Sequence, residues 1–169
     1  EVSHAVLSAS TWAVLALVCH IELFTQVHYR QSMSPDDGLS ELYKDVFLFH
    51  WKEESQHAIL DELEWKREDA RLTPAQRDAA VGQFIGLIAA VDGILQLQSG
   101  ADADYFVSAI TSRLTPDQAS QMRRCLLDAY RWQYIVSGAQ DARFNEALGA
   151  LITPTQAQRI QTALATLSP

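Results

Sequence analysis

The pattern of apolar and polar residues predicts helices along the whole chain. Residues 2–32 contain neither proline nor glycine, and the centre of this stretch, from Trp12 to Val18, is apolar on nearly every side of a helix. The turn-forming residues 34–38 separate it from a second uninterrupted stretch, residues 39–71. These features predict two long helices joined by a short turn, with the first helix surrounded by other helices.

A short polar pattern, Thr-Pro-x-Gln, occurs three times and marks further helix starts, at residues 73–76, 115–118 and 153–156. The threonine caps free N–H groups, proline suits the first helical position, and the glutamine completes a capping box. With breaks at the Ser-Gly pairs 99–100 and 137–138, the pattern predicts helices over 74–98, 103–113, 116–136, 139–151 and 154–167. Capping alone explains the recurrence, although spacings of about 40 residues are also typical of helical repeats.

The predicted fold class is all-α. No segment alternates apolar and polar residues as a half-buried strand does, and no hairpin turn lies between strand-like runs. We expect residues 1–71 to form a long antiparallel helix pair and residues 72–169 to form a helical C-terminal region with the three Thr-Pro-x-Gln capped helices. Gly82 and Gly86, four residues apart, predict a close helix crossing.

Composition narrows the classes of partner. The net charge of −8 disfavours nucleic acid or an anionic membrane as the main partner. Cys19 and Cys125 are isolated, which is typical of buried thiols in a reducing compartment. The apolar run 12–19 is too short to cross a bilayer, and polar residues interrupt the longer run 81–97. We therefore expect a cytoplasmic protein; its start without Met or a basic segment indicates a fragment rather than a signal peptide.

Candidate chemistry lies on the second predicted helix. His50, Glu54, His57 and Asp61 fall on one helical stripe. Glu54 and His57 form a Glu-x-x-His pair, whose side chains project about one turn apart and can bind one metal. Buried ionisable groups must be paired, neutral or bound to metal. The large or apolar residues that flank the stripe are Phe47, Trp51, Ala58 and Trp65.

Antiparallel packing of the two long helices would bring Glu22, a lone acid on the first helix, towards Glu54. His50 reaches the same metal as His57 only if both lean inward or a π-bulge lies between them; otherwise it supports the ligands from outside. Asp61 is placed to accept the second N–H of His57. Tyr29, two turns after Glu22, is placed to reach the site. The alternative is a surface helix whose acids and imidazoles are solvated.

The arrangement of Glu22 followed by His50-x-x-x-Glu54-x-x-His57 resembles the second half of ferritin-like di-iron carboxylate proteins, most closely the p-aminobenzoate N-oxygenase type. The resemblance covers residues 12–65. It implies a partial ferritin-like bundle, with Glu22, Glu54 and His57 as iron ligands and His50 as an additional one. It also implies two non-haem irons that activate dioxygen, and the sequence leaves manganese open as the alternative metal. We expect the oxidised substrate to be a small organic molecule.

The family's pattern contains a further lone Glu and a further Glu-x-x-His upstream of these positions. Glu1 and His4 have that spacing, but on a continuous helix His4 would lie about 27 Å from Glu22. Asp92, in an apolar context, is the other candidate ligand; its alternative role is a hydrogen-bonded acid of the core.

Three functions remain open from sequence. The first is a di-metal oxidase or oxygenase that uses dioxygen. The second is a non-catalytic ferritin-like protein with an incomplete or single-metal site, acting as a binding or structural module. The third is a helical interaction module built on the capped repeats. A homodimer is compatible with each.

Overall fold

The computed structural model describes residues 2–110 and 114–167, with side chains from residue 5 onward. These residues are mostly helical and include no strand, which confirms the predicted all-α class. Two π-helical segments, Tyr29–Met33 and Trp132–Val136, lie between α-helical ones. The helices are α1 (Val2–Ser8), α2 (Thr11–His28), α3 (Glu41–Asp69), α4 (Pro74–Ala109), α5 (Pro116–Arg131), α6 (Ser137–Ala139), α7 (Ala142–Leu151) and α8 (Pro154–Ala165).

Helix α2 is the centre of the fold, and α3 packs along it in the antiparallel direction. At one end of the pair, the indole Nε1 of Trp12 donates a hydrogen bond to Oδ1 of Asp69 over 2.9 Å. Towards the other end, Nε2 of Gln26 donates to the backbone oxygen of Glu54 over 3.4 Å. These two contacts fix which turns of α2 and α3 face each other.

Aromatic side chains join this helix pair to the C-terminal helices. Trp12 and Trp65 are fully buried, with ring centroids 5.1 Å apart in an edge-to-face arrangement. Phe144 of α7 stacks on Trp65 at 6.0 Å and lies 6.3 Å from Phe84 of α4. Edge-to-face and offset pairs are the favoured aromatic geometries. The two segments expected from sequence, residues 1–71 and 72–169, therefore share one core.

All three predicted capping boxes are present. The hydroxyls of Thr73, Thr115 and Thr153 accept from the backbone N–H of the glutamine three residues later, and each glutamine side chain accepts from the threonine N–H. Because a capping box satisfies its donors within four residues, it forms independently of the rest of the fold.

The predicted Ser-Gly breaks are wrong. Ser99 and Ser137 remain helical because both are buried against other helices. Their hydroxyls are satisfied within the helix, since they donate to backbone oxygens of the preceding turn over 3.3 Å and 2.8 Å. The break after α6 instead occurs where Asp141 caps α7 by accepting from two backbone N–H groups. The first predicted helix is also interrupted, at residues 9–10, because the Ser10 side chain caps α2.

The close helix crossing occurs at a different glycine from the two predicted. A Cβ on Gly86 would meet nothing within 4 Å, and one on Gly82 would meet only the end of the Arg159 side chain. A Cβ on Gly138 would lie 2.7 Å from Nε2 of His20 and 3.1 Å from its backbone oxygen. Nε2 of His20 is hydrogen-bonded to the backbone oxygen of Ile135 at 2.8 Å. Gly138 therefore lets α6 approach α2 closely.

Two helical stretches, Thr11–Met33 and Pro74–Ala109, are long and apolar enough to cross a membrane by length and composition alone. The first stretch is long enough because the helix continues beyond the apolar run of residues 12–19, which by itself is too short. In their most apolar windows, 50% and 39% of the residues are buried inside this protein. Core helices of soluble proteins meet the same criterion.

The crossing at Gly138 predicts a stability effect. We expect Gly138→Ala to lower the free energy of unfolding by about 1–3 kcal/mol, because the added methyl group must displace His20 or its backbone. Urea denaturation measures the change. Gly149→Ala is the control: its Cβ would meet nothing within 4 Å, and alanine favours a helix interior by up to about 1 kcal/mol. Equal effects of the two substitutions would contradict the close crossing.

Candidate metal centre

Three potential metal ligands from α2 and α3 converge on one point. Glu22, Glu54 and His57 each offer a ligand atom, and these atoms all lie within 4.8 Å of one another. The antiparallel register of α2 on α3 brings Glu22 to this place, as the sequence predicts. The spacing of three residues then puts Glu54 and His57 on the same side of α3.

The Glu54 carboxylate lies between two imidazoles. Nδ1 of His57 is 2.8 Å from its Oε2, and Nδ1 of His50 is 3.2 Å from its Oε1. Helix α3 is a regular α-helix throughout this region, so no π-bulge brings the two histidines together. His50 therefore contacts the ligand Glu54, and only the other three groups converge.

Glu22 and Glu54 are close enough to share a proton. Burial, followed by the hydrogen bond to Glu54 and its charge, raises the pKa of Glu22 to about 8. The pKa of Glu54 is lowered, first by the hydrogen bond with Glu22 and also by the hydrogen bond with His57. Near neutral pH, Glu22 is therefore the protonated partner that donates to the Glu54 carboxylate. Such a shared proton occupies the place that a cation would take between two carboxylates.

His57 is the solvent-facing member of the group. Its side chain is 48% exposed, compared with 16% for Glu54. The hydrogen bond to Glu54 raises the pKa of His57, with smaller contributions from the neighbouring acids. Since a metal binds neutral imidazole and ionised carboxylate, metal binding here would release protons from His57 and Glu22.

Asp61 and Tyr29 lie beside the convergent group without joining it. Burial raises the pKa of Asp61, and its Oδ2 has no hydrogen-bond partner among the described residues. The predicted hydrogen bond from His57 to Asp61 is therefore not formed. The Tyr29 ring stacks on Trp51 at 5.4 Å and, with His50, lines a cavity of about 60 Å³. Tyr29 thus forms an aromatic wall next to the candidate ligands.

The candidate assignment of Asp92 as a ligand is wrong. Its two carboxylate oxygens accept from Nε and Nη2 of Arg131 over 2.7 Å and 3.0 Å, and Gln96 donates a further bond of 2.6 Å. These contacts, led by Arg131, lower the pKa of Asp92. Asp92 is a charge-paired acid between α4 and α5. The two candidates upstream of Glu22 are Glu1 and His4; Glu1 and the side chain of His4 lie outside the described residues.

The contacts that hold α7 to the helix pair were not predicted from the sequence. Glu62 accepts from Nε of Arg143 over 2.9 Å, and it also pairs with Lys66 one turn along α3. The i,i+4 spacing of Glu62 and Lys66 was visible in the sequence. The contact with Arg143, which anchors α7 one turn from the candidate ligands, joins residues far apart in the chain and had no local signal.

Comparisons of the chain with protein-family models, with curated proteins and with solved structures find no match. The likeness to ferritin-like di-iron proteins therefore rests on Glu22, His50, Glu54 and His57 alone.

The raised pKa of Glu22 predicts a pH dependence of stability in the metal-free protein. Unfolded Glu22 loses its proton near 4.5, whereas the folded protein retains it up to about 8. Folding therefore binds a proton across this interval, and stability falls as the pH rises through it. The raised pKa values of His57 and Asp61 act in the same direction.

We expect Glu22→Gln to flatten the fall in unfolding free energy between about pH 5 and pH 8, measured by urea denaturation in the presence of a chelator. Glu146→Gln, an exposed change on α7 that removes the same charge, is the control. An unchanged slope in Glu22→Gln would contradict the shared proton.

Proposed function

We propose that the protein binds a divalent transition metal through Glu22, Glu54 and His57, as part of a ferritin-like di-metal centre of an oxidase or oxygenase. The observation that carries the proposal is the convergence of three ligand atoms, from two helices, within 4.8 Å of one another. Two carboxylates and one imidazole are a donor set suited to iron or manganese. Among the described residues, no thiol joins them to favour a softer metal.

The ligand residues have distinct parts in this proposal. Glu22 and Glu54 exchange their shared proton for a cation. The metal charge then neutralises the two partly buried carboxylates in place of the proton. His57 supplies a nitrogen at the solvent side. His50, 3.2 Å from the other oxygen of Glu54, orients that carboxylate as an outer-shell partner does. When bound, iron would supply the redox chemistry that reduces dioxygen.

The partners and location follow from the same proposal. Dioxygen and a small organic molecule are the reactants, and the Tyr29–Trp51 stack forms an aromatic wall beside His50. The net charge of −8 supports a protein that avoids nucleic acid and anionic membranes. Cys19 is buried as expected, whereas the expected burial of Cys125 is wrong, because it lies on the exposed side of α5. Neither thiol forms a disulfide, which supports a cytoplasmic location.

A metal-binding module without catalysis is the second candidate, and the size of the neighbouring cavity favours it. The cavity beside His50 measures about 60 Å³, whereas small-molecule pockets usually measure ~300–1,000 Å³. His57 is also nearly half exposed, which leaves the site open to water.

The first test is metal binding by isothermal titration with Mn²⁺ or anaerobic Fe²⁺. We expect Glu54→Ala and His57→Ala to weaken binding by more than the ~10–100-fold that is typical of outer-shell substitutions. Glu41→Gln is the matched control, because Glu41 is an exposed acid in the first turn of the same helix, more than three turns from Glu54. Equal affinity in all three variants, or no binding by the unaltered protein, would refute the proposal.

The second test separates enzyme from module. For an oxidase or oxygenase, we expect the Fe²⁺-loaded protein to consume dioxygen, measured with an oxygen electrode, and to develop a ferric–carboxylate absorption band. Glu22→Gln should lose both signals. Stable Fe²⁺ binding without dioxygen consumption would favour the module.

A further inference from the structure

One side of α3 carries a regular row of exposed residues. Five of its seven positions are apolar, and they succeed one another at alternating intervals of four and three residues. Leu42 is 76% exposed, Phe49 67% and Leu63 59%. We call this row the open face; it comprises Leu42, Val46, Phe49, Glu53, Gln56, Leu60 and Leu63.

The spacing of the open face is the spacing of a helix–helix seam. Apolar residues that recur every 3.5 positions form the stripe along which two helices pack with side chains interlocked. Single exposed apolar residues are ordinary on protein surfaces, but a contiguous apolar patch marks an interaction site. Within the described residues, α2 covers the opposite side of α3 through the fully buried Ala58 and Trp65.

The candidate metal centre lies at the edge of the open face. His57 follows Glu53 by one turn and precedes Leu60 by less than one turn, and its imidazole is nearly half exposed. Glu22, Glu54 and His57 are three ligands, fewer than transition metals normally take from their surroundings. The incomplete ligand set therefore lies next to the uncovered surface of α3.

We propose that a second copy of this chain packs its α3 antiparallel on the open face and supplies a second set of the same ligands. This inference rests on the proposed function. In one register, Val46 faces the partner's Leu63 and Phe49 faces the partner's Leu60. Apolar residues therefore meet apolar residues in these two pairs on each side of the centre of the seam, while Leu42 extends beyond them to the level of the partner's Arg67.

The polar positions agree with the same register. Glu53 faces the partner's Gln56 at the centre of the seam, where a hydrogen bond replaces apolar contact. Asp45 comes beside the partner's Lys66 at both ends, so opposite charges meet twice. A parallel pair would instead set each Glu53 against its own copy, and like charges facing each other are destabilising.

The register also brings the two candidate centres to the same level along the paired helices. The two-fold axis passes between Glu54 and Ser55, so the two Glu54 side chains lie at the same level along the helices. The two His57 residues are then about 8 Å apart along the axis, at a rise of ~1.5 Å per residue. The pair supplies two lone glutamates and two Glu-x-x-His pairs, which is the donor set of di-metal carboxylate bundles.

The oligomeric state is the first test, measured by light scattering after size exclusion with Mn²⁺ present. We expect a mass of twice the chain mass of 18.8 kDa. Leu60→Glu should give the single-chain mass, with helical content unchanged by circular dichroism, because Leu60 is 57% exposed within one chain. Leu97→Glu on α4, at a residue 79% exposed, is the control and should remain dimeric. A monomeric unaltered protein would overturn the inference.

Charge reversal tests the register. Asp45→Lys or Lys66→Asp alone should weaken the dimer at least tenfold, because like charges then meet at both ends. The double variant should recover most of the loss. Absence of recovery would refute the antiparallel pairing.

Manganese electron paramagnetic resonance tests the shared centre. Two Mn²⁺ ions per dimer should give the signal of a spin-coupled pair, as expected for ions about 3.5–4 Å apart. Leu60→Glu should bind single, uncoupled Mn²⁺ more weakly. Uncoupled Mn²⁺ in a dimer, or in a monomer, overturns the inference and leaves the proposed metal function intact. A dimer in which Glu54→Ala and the unaltered protein both fail to bind Mn²⁺ overturns the proposed function itself.

Discussion

The antiparallel register of α2 on α3 is the constraint from which the remaining structure follows. It is set by the Trp12–Trp65 contact and by the hydrogen bond from Trp12 to Asp69. Asp69 is in turn held by Arg77, which bonds both of its carboxylate oxygens. A slip of one turn would separate Glu22 from Glu54 by about 5 Å along the helices. The candidate metal centre therefore depends on aromatic packing two to three turns away.

Bringing these carboxylates together has an electrostatic cost that the fold offsets with protons. Glu22 keeps a proton because burial and the neighbouring Glu54 disfavour a second negative charge, while His57 stabilises the ionised Glu54. A group of acids in this condition is prepared to exchange protons for a cation without moving a helix. Asp92 shows the contrasting solution, in which the Arg131 guanidinium balances the charge of the carboxylate and no proton is retained.

Helix α3 has three surfaces with different chemistry. One is buried against α2, one carries the ligands, and one is the exposed heptad row that borders them. An isolated helix pair has no need of apolar side chains on its outer surface, because each is solvated at a cost of about 25 cal/mol per Å². A second α3 on this surface would complete both the apolar packing and the donor set, which is why the two proposals concern the same region.

The sequence alone determined the features that depend on local chemistry. The Thr-Pro-x-Gln caps determine three helix starts, because their hydrogen bonds form within a single helical turn. The three-residue interval from Glu54 to His57 likewise puts both side chains on one side of α3. Tertiary structure decided the rest. Ser99 and Ser137 stayed helical, Arg131 paired with Asp92 on another helix, and Glu22 met Glu54, since each outcome depends on which distant helix turn lies opposite. That choice is made by packing across the whole core, which no local pattern encodes.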